Sequence, residues 1–153
     1  THCHLDHVFG NEFVKKTWHV QNYAHDLENF NIGFLEASAR MFGIGHIDPT
    51  RIDSFIEEGD IIEFGKSSLD VIFTPGHSPG HVVFYNKEQN FCINGDVLFK
   101  MSIGRTDLPG GNHQQLINSI KQKMFTLPEE TIIYTGHGNP TTIGFEKTHN
   151  PFL

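Results

Sequence analysis

THCHLDH, residues 1–7, sets three histidines and an aspartate within seven positions. Alternate residues of an extended segment point the same way. His2 and His4 can therefore face one point while Asp6 and His7 turn toward a second. Imidazole and carboxylate are donors of metal sites that use no thiolate. The chain carries 11 histidines, as many as its lysines and arginines together. What matters is whether the others fall where they could converge with these.

Hydrophobic periodicity places them. Residues 8–16 read as a short helix and 17–24 as a strand. Asp26 suits an N-cap for a helix running to about Phe42, with Leu27, Phe30, Phe34 and Leu35 at helical spacing. A loop follows over 43–54. Strand-like runs then cover 60–64, 68–74, 81–85 and 90–94, punctuated by Gly, Pro, Asn and Asp. Residues 101–111 form a Gly-rich loop. Residues 113–125 are an amphipathic helix that Asn112 can cap. Residues 131–135 are a last strand, and Thr141 starts a terminal helical turn or two.

On this map three further candidates each follow a strand. His77 stands in TPGHSPGH, Asp96 in INGD and His137 in TGHG. If the strands share a layered core, their ends gather at one edge with residues 2–7. One ion needs three or four ligands, so seven candidates suit two. His2, His4 and His77 are assigned to one site. Asp6, His7 and His137 are assigned to the other, with Asp96 bridging. This donor set suits zinc, and also iron or manganese. Two divalent ions ~3.5–4 Å apart can hold a bridging hydroxide and polarise a carbonyl or phosphoryl oxygen, which is hydrolytic chemistry. Asp6 can exchange a proton beside that nucleophile while ligating weakly.

Composition excludes other classes. A net charge of -7 without a Lys/Arg cluster argues against nucleic acid and anionic membranes as partners. No apolar run approaches the ~18 residues of a membrane span. A small-molecule substrate and a cytoplasmic location are expected, with an oligomer as an open option. Cys3 and Cys92 do not make a disulfide framework. Cys92 reads as a buried small hydrophobe, and Cys3 should point away from its neighbouring ligands.

HxHxDH at 2–7, TPGHSPGH at 74–81, NGD at 94–96 and TGHG at 135–138, in that order, resemble the metallo-β-lactamase superfamily across nearly the whole chain. The resemblance implies one α/β (α+β) domain over 1–153, an αββα four-layer sandwich with a binuclear site at one edge. Asp96 stands where true zinc β-lactamases have Cys, and His7 where many have Arg, which points away from a lactamase. GDVLFKMSIGRTDLPGGN at 95–112 and the ending TTIGFEKTHNPFL resemble small glyoxalase-II-like hydrolases. Those relatives imply hydrolysis of thioesters such as S-lactoylglutathione. Full glyoxalase II proteins add a C-terminal helical domain that binds glutathione. This chain carries none, which leaves the thiol carrier open.

The same resemblance implies an apolar strand before Thr1, and a domain whose first strands, roughly a quarter of it, are missing from these 153 residues. Three alternatives share the ligand order. A mononuclear-iron persulfide dioxygenase resembles the chain through GRTD, although that branch continues FQ where Leu108 and Pro109 stand here. A lactonase and an inactive metal-binding fragment are the others. Arg105 can face a substrate carboxylate or pair with Asp107 in its loop. His81 is expected to hydrogen-bond behind the site. His19, His25, His46, His113 and His149 read as surface or turn residues.

Overall fold

The structure, a computed structural model, describes residues 1–45, 47–48 and 50–153. His46 and Pro49, in the loop expected over 43–54, lie outside the described residues. The chain opens with two short helices, α1 (Leu5–Val8) and α2 (Asn11–Trp18). α2 ends where His19 turns into the left-handed region at φ 55°. The strand expected over 17–24 is therefore only β1 (Tyr23–Ala24), paired in parallel with β2 (Ser54–Phe55). Trp18 and Val20 stay exposed, and Trp18 meets the Phe13 ring of its own helix edge-on, so the local helix prevails over strand propensity there.

The single helix expected over 26–42 is three pieces: a 3-10 turn over Asp26–Glu28, α3 (Asn29–Ile32) and α4 (Leu35–Met41). His25, not Asp26, caps the first, its ring accepting from the Leu27 N–H. The break falls at Gly33–Phe34, between α3 and α4. Glu28 and Asn31 are buried polar residues ahead of it, and Leu35 and Ala39 behind it pack with Leu5 and Val8 of α1.

The central sheet holds β3 (Ile61–Phe64), β4 (Ser67–Phe73), β5 (Val82–Asn86), β6 (Phe91–Gly95), β9 (Ile132–Thr135) and β10 (Thr141–Thr142). Between β6 and β9 run a hairpin, β7 (Leu98–Phe99) with β8 (Ser102–Ile103), and helix α5 (His113–Gln122). The Gly-rich loop expected over 101–111 thus includes one hairpin strand. Asn112 caps α5 as expected, accepting from the Gln115 N–H at 3.0 Å. The closing helix α6 (Ile143–His149) is capped by Thr142 instead of Thr141.

Sheet order is β10-β9-β6-β5-β4-β3, with β6 and β9 parallel and every other pair antiparallel. A parallel pair needs a crossover connection, which α5 supplies. One sheet face presents Val83, Tyr85, Cys92 and Ile133 to Leu116, Ile120 and Met124 of the α5 region and to Ile143 of α6. Truncating a fully buried member such as Ile133 to Ala should cost roughly 2–5 kcal/mol. The opposite face carries Val71, Val82 and Phe84, then Ile93 and Tyr134, the last two exposed. Of the two sheets an αββα sandwich stacks, this is one. The other strands among the described residues form two-stranded ribbons. No helix of the described residues is long and apolar enough to cross a membrane.

This order positions the site. β5 runs against both β4 and β6, and β9 runs with β6, so β4, β6 and β9 all end at the same edge. His77, Asp96 and His137 each follow one of those ends.

Candidate metal centre

Residues 2–7 arrive at that edge because Thr1 C=O accepts the Val82 N–H at 2.9 Å, alongside the start of β5. His2 and His4 then alternate as expected. Cys3 turns the other way, into the cluster with Leu5, Val8 and Leu35. Burial first, and the Glu28 charge second, push its thiol up to about 12; its direction, into the apolar cluster, is what takes it away from the ligands. On α1, Leu5 and Val8 face that core, leaving Asp6 and His7 for the site.

The structure brings all seven expected ligands together. His4 Nδ1 lies 2.9 Å from His77 Nε2, which is 3.3 Å from His2 Nε2 and 3.6 Å from Asp96 Oδ2. On the other side, His137 Nε2 lies 3.1 Å from Asp6 Oδ2 and 3.4 Å from Asp96 Oδ2. His7 Nε2 is 3.6 Å from Asp6 Oδ2 and 3.5 Å from Asp96 Oδ1. Ligands held 2.0–2.1 Å from a tetrahedral ion stand about 3.3 Å apart. The separations fit that spacing. His7 Nε2 and Asp96 Oδ1 are buried without a hydrogen-bond partner. Such orphaned acceptors are costly unless something positive sits between them.

Tautomers are set from behind. His77 Nδ1–H donates to the Arg105 carbonyl at 2.8 Å, which leaves Nε2 as a lone pair aimed into the cluster. His81 does what was expected of it. Its Nε2 accepts the Asp96 N–H at 3.1 Å, so its proton is on Nδ1, beside Thr74. Burial, with neighbouring imidazoles, holds His2 and His81 well below the ordinary histidine range and brings His4 to about 4. Burial also lowers His77. Burial pushes the Asp96 carboxyl up, but the adjacent His7 ring and the His77 and His137 rings outweigh it, and the net shift is down. His2, His4 and His77 are thus held toward the neutral imidazole and Asp96 toward the ionised carboxylate, the forms a cation needs.

Two glycines make the approach possible. A Cβ on Gly136 would collide with the Asp96 carboxylate. Gly76, at φ 135°, lies against the Leu116 backbone, where a side chain has no room. Its carbonyl takes the Asn112 N–H at 2.8 Å, tying the His77 loop to the start of α5.

Sequence reasoning missed Glu28. It is fully buried, and its carboxylate accepts the Cys3 N–H at 2.7 Å, the Ser78 hydroxyl at 2.6 Å, the Gly80 N–H at 2.7 Å and the Asn31 amide at 2.8 Å. It clamps the His2–His4 segment to the His77 loop. HDLENF offers no local sign of this, since a helix-start glutamate ordinarily faces solvent. Arg105 lines the cleft above the ligands, but its guanidinium is engaged by Asp107 through two hydrogen bonds of 2.7 and 2.8 Å. The loop pairing, not a free carboxylate receptor, is what the structure contains.

Comparison with known proteins agrees with this geometry. The model of the metallo-beta-lactamase superfamily matches residues 1–137. A probable metallo-hydrolase of Bacillus subtilis, YqgX, is 41% identical over the whole chain and 73% of its own length. The hydroxyacylglutathione hydrolase GloC of Haemophilus influenzae is 40% identical over the same shares. Among solved structures, the B3 metallo-beta-lactamase BLEG-1 superposes with a TM-score of 0.91 at 40% identity, over 99% of this chain and 74% of that one. TTHA1623 in a di-iron-bound form gives 0.90 at 38%, over 100% and 75%.

Proposed function

The chain belongs to the metallo-beta-lactamase superfamily, and from that premise we propose that it is a metal-dependent hydrolase of small thioesters with a binuclear centre. The observation that carries this is the paired donor geometry. Two three-residue sets, His2–His4–His77 and Asp6–His7–His137, each lie within ligating reach of one another and flank the Asp96 carboxylate. When bound, two divalent ions supply a water activated at neutral pH and a Lewis-acid contact for a carbonyl. Zinc suits these donors, and the di-iron form of TTHA1623 makes iron equally admissible.

The chain's own residues do the rest. Asp96 serves both sets, and its charge offsets the repulsion between two cations. His77 is held rigid by the Arg105 carbonyl, so the edge of the site does not have to reorganise. Asp6 is the exposed carboxylate of the cluster and opens onto the cleft. It is placed to take the proton of the attacking water at Oδ2 and pass it to the departing thiolate. Water and thioester then give carboxylic acid and thiol. The relative named as a hydroxyacylglutathione hydrolase supports the thioester class. The likeness to a B3 metallo-beta-lactamase makes a β-lactam ring the second candidate, against the expectation drawn from Asp96 and His7.

Thiol release from short acyl thioesters by the metal-loaded protein, abolished by chelator, is the expected result. Oxygen uptake with a persulfide and no thiol release would replace this reading with the dioxygenase. Opening of a β-lactam without thioester cleavage would replace it with the lactamase. Stoichiometric metal with no turnover of either substrate would leave an inactive metal-binding protein.

A further inference from the structure

The cleft that reaches the ligand cluster is about 1010 Å³, at the upper end of the ~300–1,000 Å³ usual for a small-molecule site. At its floor stand His4, Asp6, His77, Asp96 and His137. One wall comes from α4 and its ends, as Phe34, Met41 and Phe42. The facing wall comes from the β7–β8 hairpin and the loop after it, as Phe99, Ile103 and Leu108. Phe34, Met41 and Phe42 are 44%, 80% and 69% exposed. Large apolar side chains lie open to water on a surface continuous with the polar floor, which is unusual unless something apolar covers them. Among the described residues lining the cleft, Arg105 is the sole Lys or Arg, and Asp107 already neutralises it. A carrier bearing several carboxylates or phosphates finds no free counter-charge there.

We propose that these walls hold an extended apolar acyl chain, so that the substrate is a medium-chain acyl thioester whose carbonyl lies on the ligand cluster and whose alkyl tail runs between α4 and the β7–β8 hairpin. This rests on the hydrolase reading of the same site. The occupant must reach the floor as well as the walls, and a single chain ending in a carbonyl does both. An α-hydroxy acyl group of three carbons would leave the walls uncovered. Each methylene placed between them should tighten binding about threefold, the tail being partly exposed.

The test uses two probes on the zinc-loaded 153-residue chain. The first is binding of straight-chain carboxylates from acetate to octanoate, followed calorimetrically with no turnover required. The second is the KM for the matching acyl thioesters of N-acetylcysteamine. The expected result is a fall in both constants of about threefold per methylene. Met41→Ser and Phe34→Ala should each flatten that slope. Binding that tightens with chain length while no thioester is cleaved would keep the apolar site and remove the hydrolase reading. Thioester cleavage with acetyl and octanoyl equal in KM would keep the hydrolase and overturn the acyl site. A slope that both variants leave unchanged would also overturn it, since the tail would then lie elsewhere.

Discussion

The carboxylate of Glu28 receives the hydroxyl of Ser78 at 2.6 Å, across fifty positions of sequence. Through it, and through the Cys3 N–H on the other oxygen, two segments that carry metal-ligand candidates are fixed to one buried anion. Glu28→Gln keeps the size but turns one acceptor into a donor facing N–H and O–H groups. Each buried donor left without an acceptor costs about 1–3 kcal/mol. Glu28→Gln should therefore lose about 2–4 kcal/mol in denaturant unfolding of the metal-free protein. The folded fraction should also bind zinc more weakly at the His2–His4–His77 set, which a purely structural group would leave alone. A loss under 1 kcal/mol with unchanged zinc affinity would contradict the clamp.

Asp96→Ala should harm the protein more than any single histidine ligand change. Asp96 lies against His77 on one side and His7 and His137 on the other, whereas each histidine belongs mainly to one set. Metal content and thioester turnover should fall together. Two bound ions with a near-normal rate would disprove the bridging position.

Acid should unfold the metal-free chain early. His2, His4, His77 and His81 all have protonation constants lowered in the fold, chiefly by burial. Below the ordinary histidine value of ~6.5 the unfolded chain binds more protons than the folded one. Stability from these groups is thus complete above about pH 6.5 and lost as pH falls, through about 4 for His4. Melting of the metal-free protein from pH 7.5 to 4.5 should show a steep drop below 6.5. A flat profile there would show that these imidazoles are not buried neutral.

Arg105→Ala should be mild. Its pair with Asp107 is exposed, and such pairs add little to stability. The contact it gives His77 comes from its main chain, which alanine retains. The denaturation midpoint should stay where it is in the unsubstituted protein. A loss of turnover by orders of magnitude would mean that the guanidinium leaves Asp107 for the substrate.

The cluster of candidate ligands was legible because strand ends and ligand letters coincide in sequence. TPGH, INGD and TGHG each follow an apolar run, and sheet order alone carries those runs to one edge. His81 was legible in part, as a histidine next to a ligand loop. The helix over 26–42 was legible as helical, but its division at Gly33–Phe34 was not: Glu28, Asn31, Leu35 and Ala39 stand at helical spacing, so periodicity reads them as one unbroken stripe. The strand over 17–24 formed only at Tyr23–Ala24, where Ala24 joins the cluster of Leu35 and Ala39, while Trp18 closes a helix beside Phe13. Glu28 was illegible altogether, since its four donors lie three to fifty-two positions away and no spacing rule joins them.

The central claim is that Asp96 joins two metal sites. Elemental analysis of the 153-residue chain, purified without chelator or added metal, tests it most directly. Two divalent ions per chain, with both reduced in Asp96→Ala, is the predicted result. One ion per chain, held by His2, His4 and His77 and unaffected by loss of Asp6, His7 or His137, would contradict it.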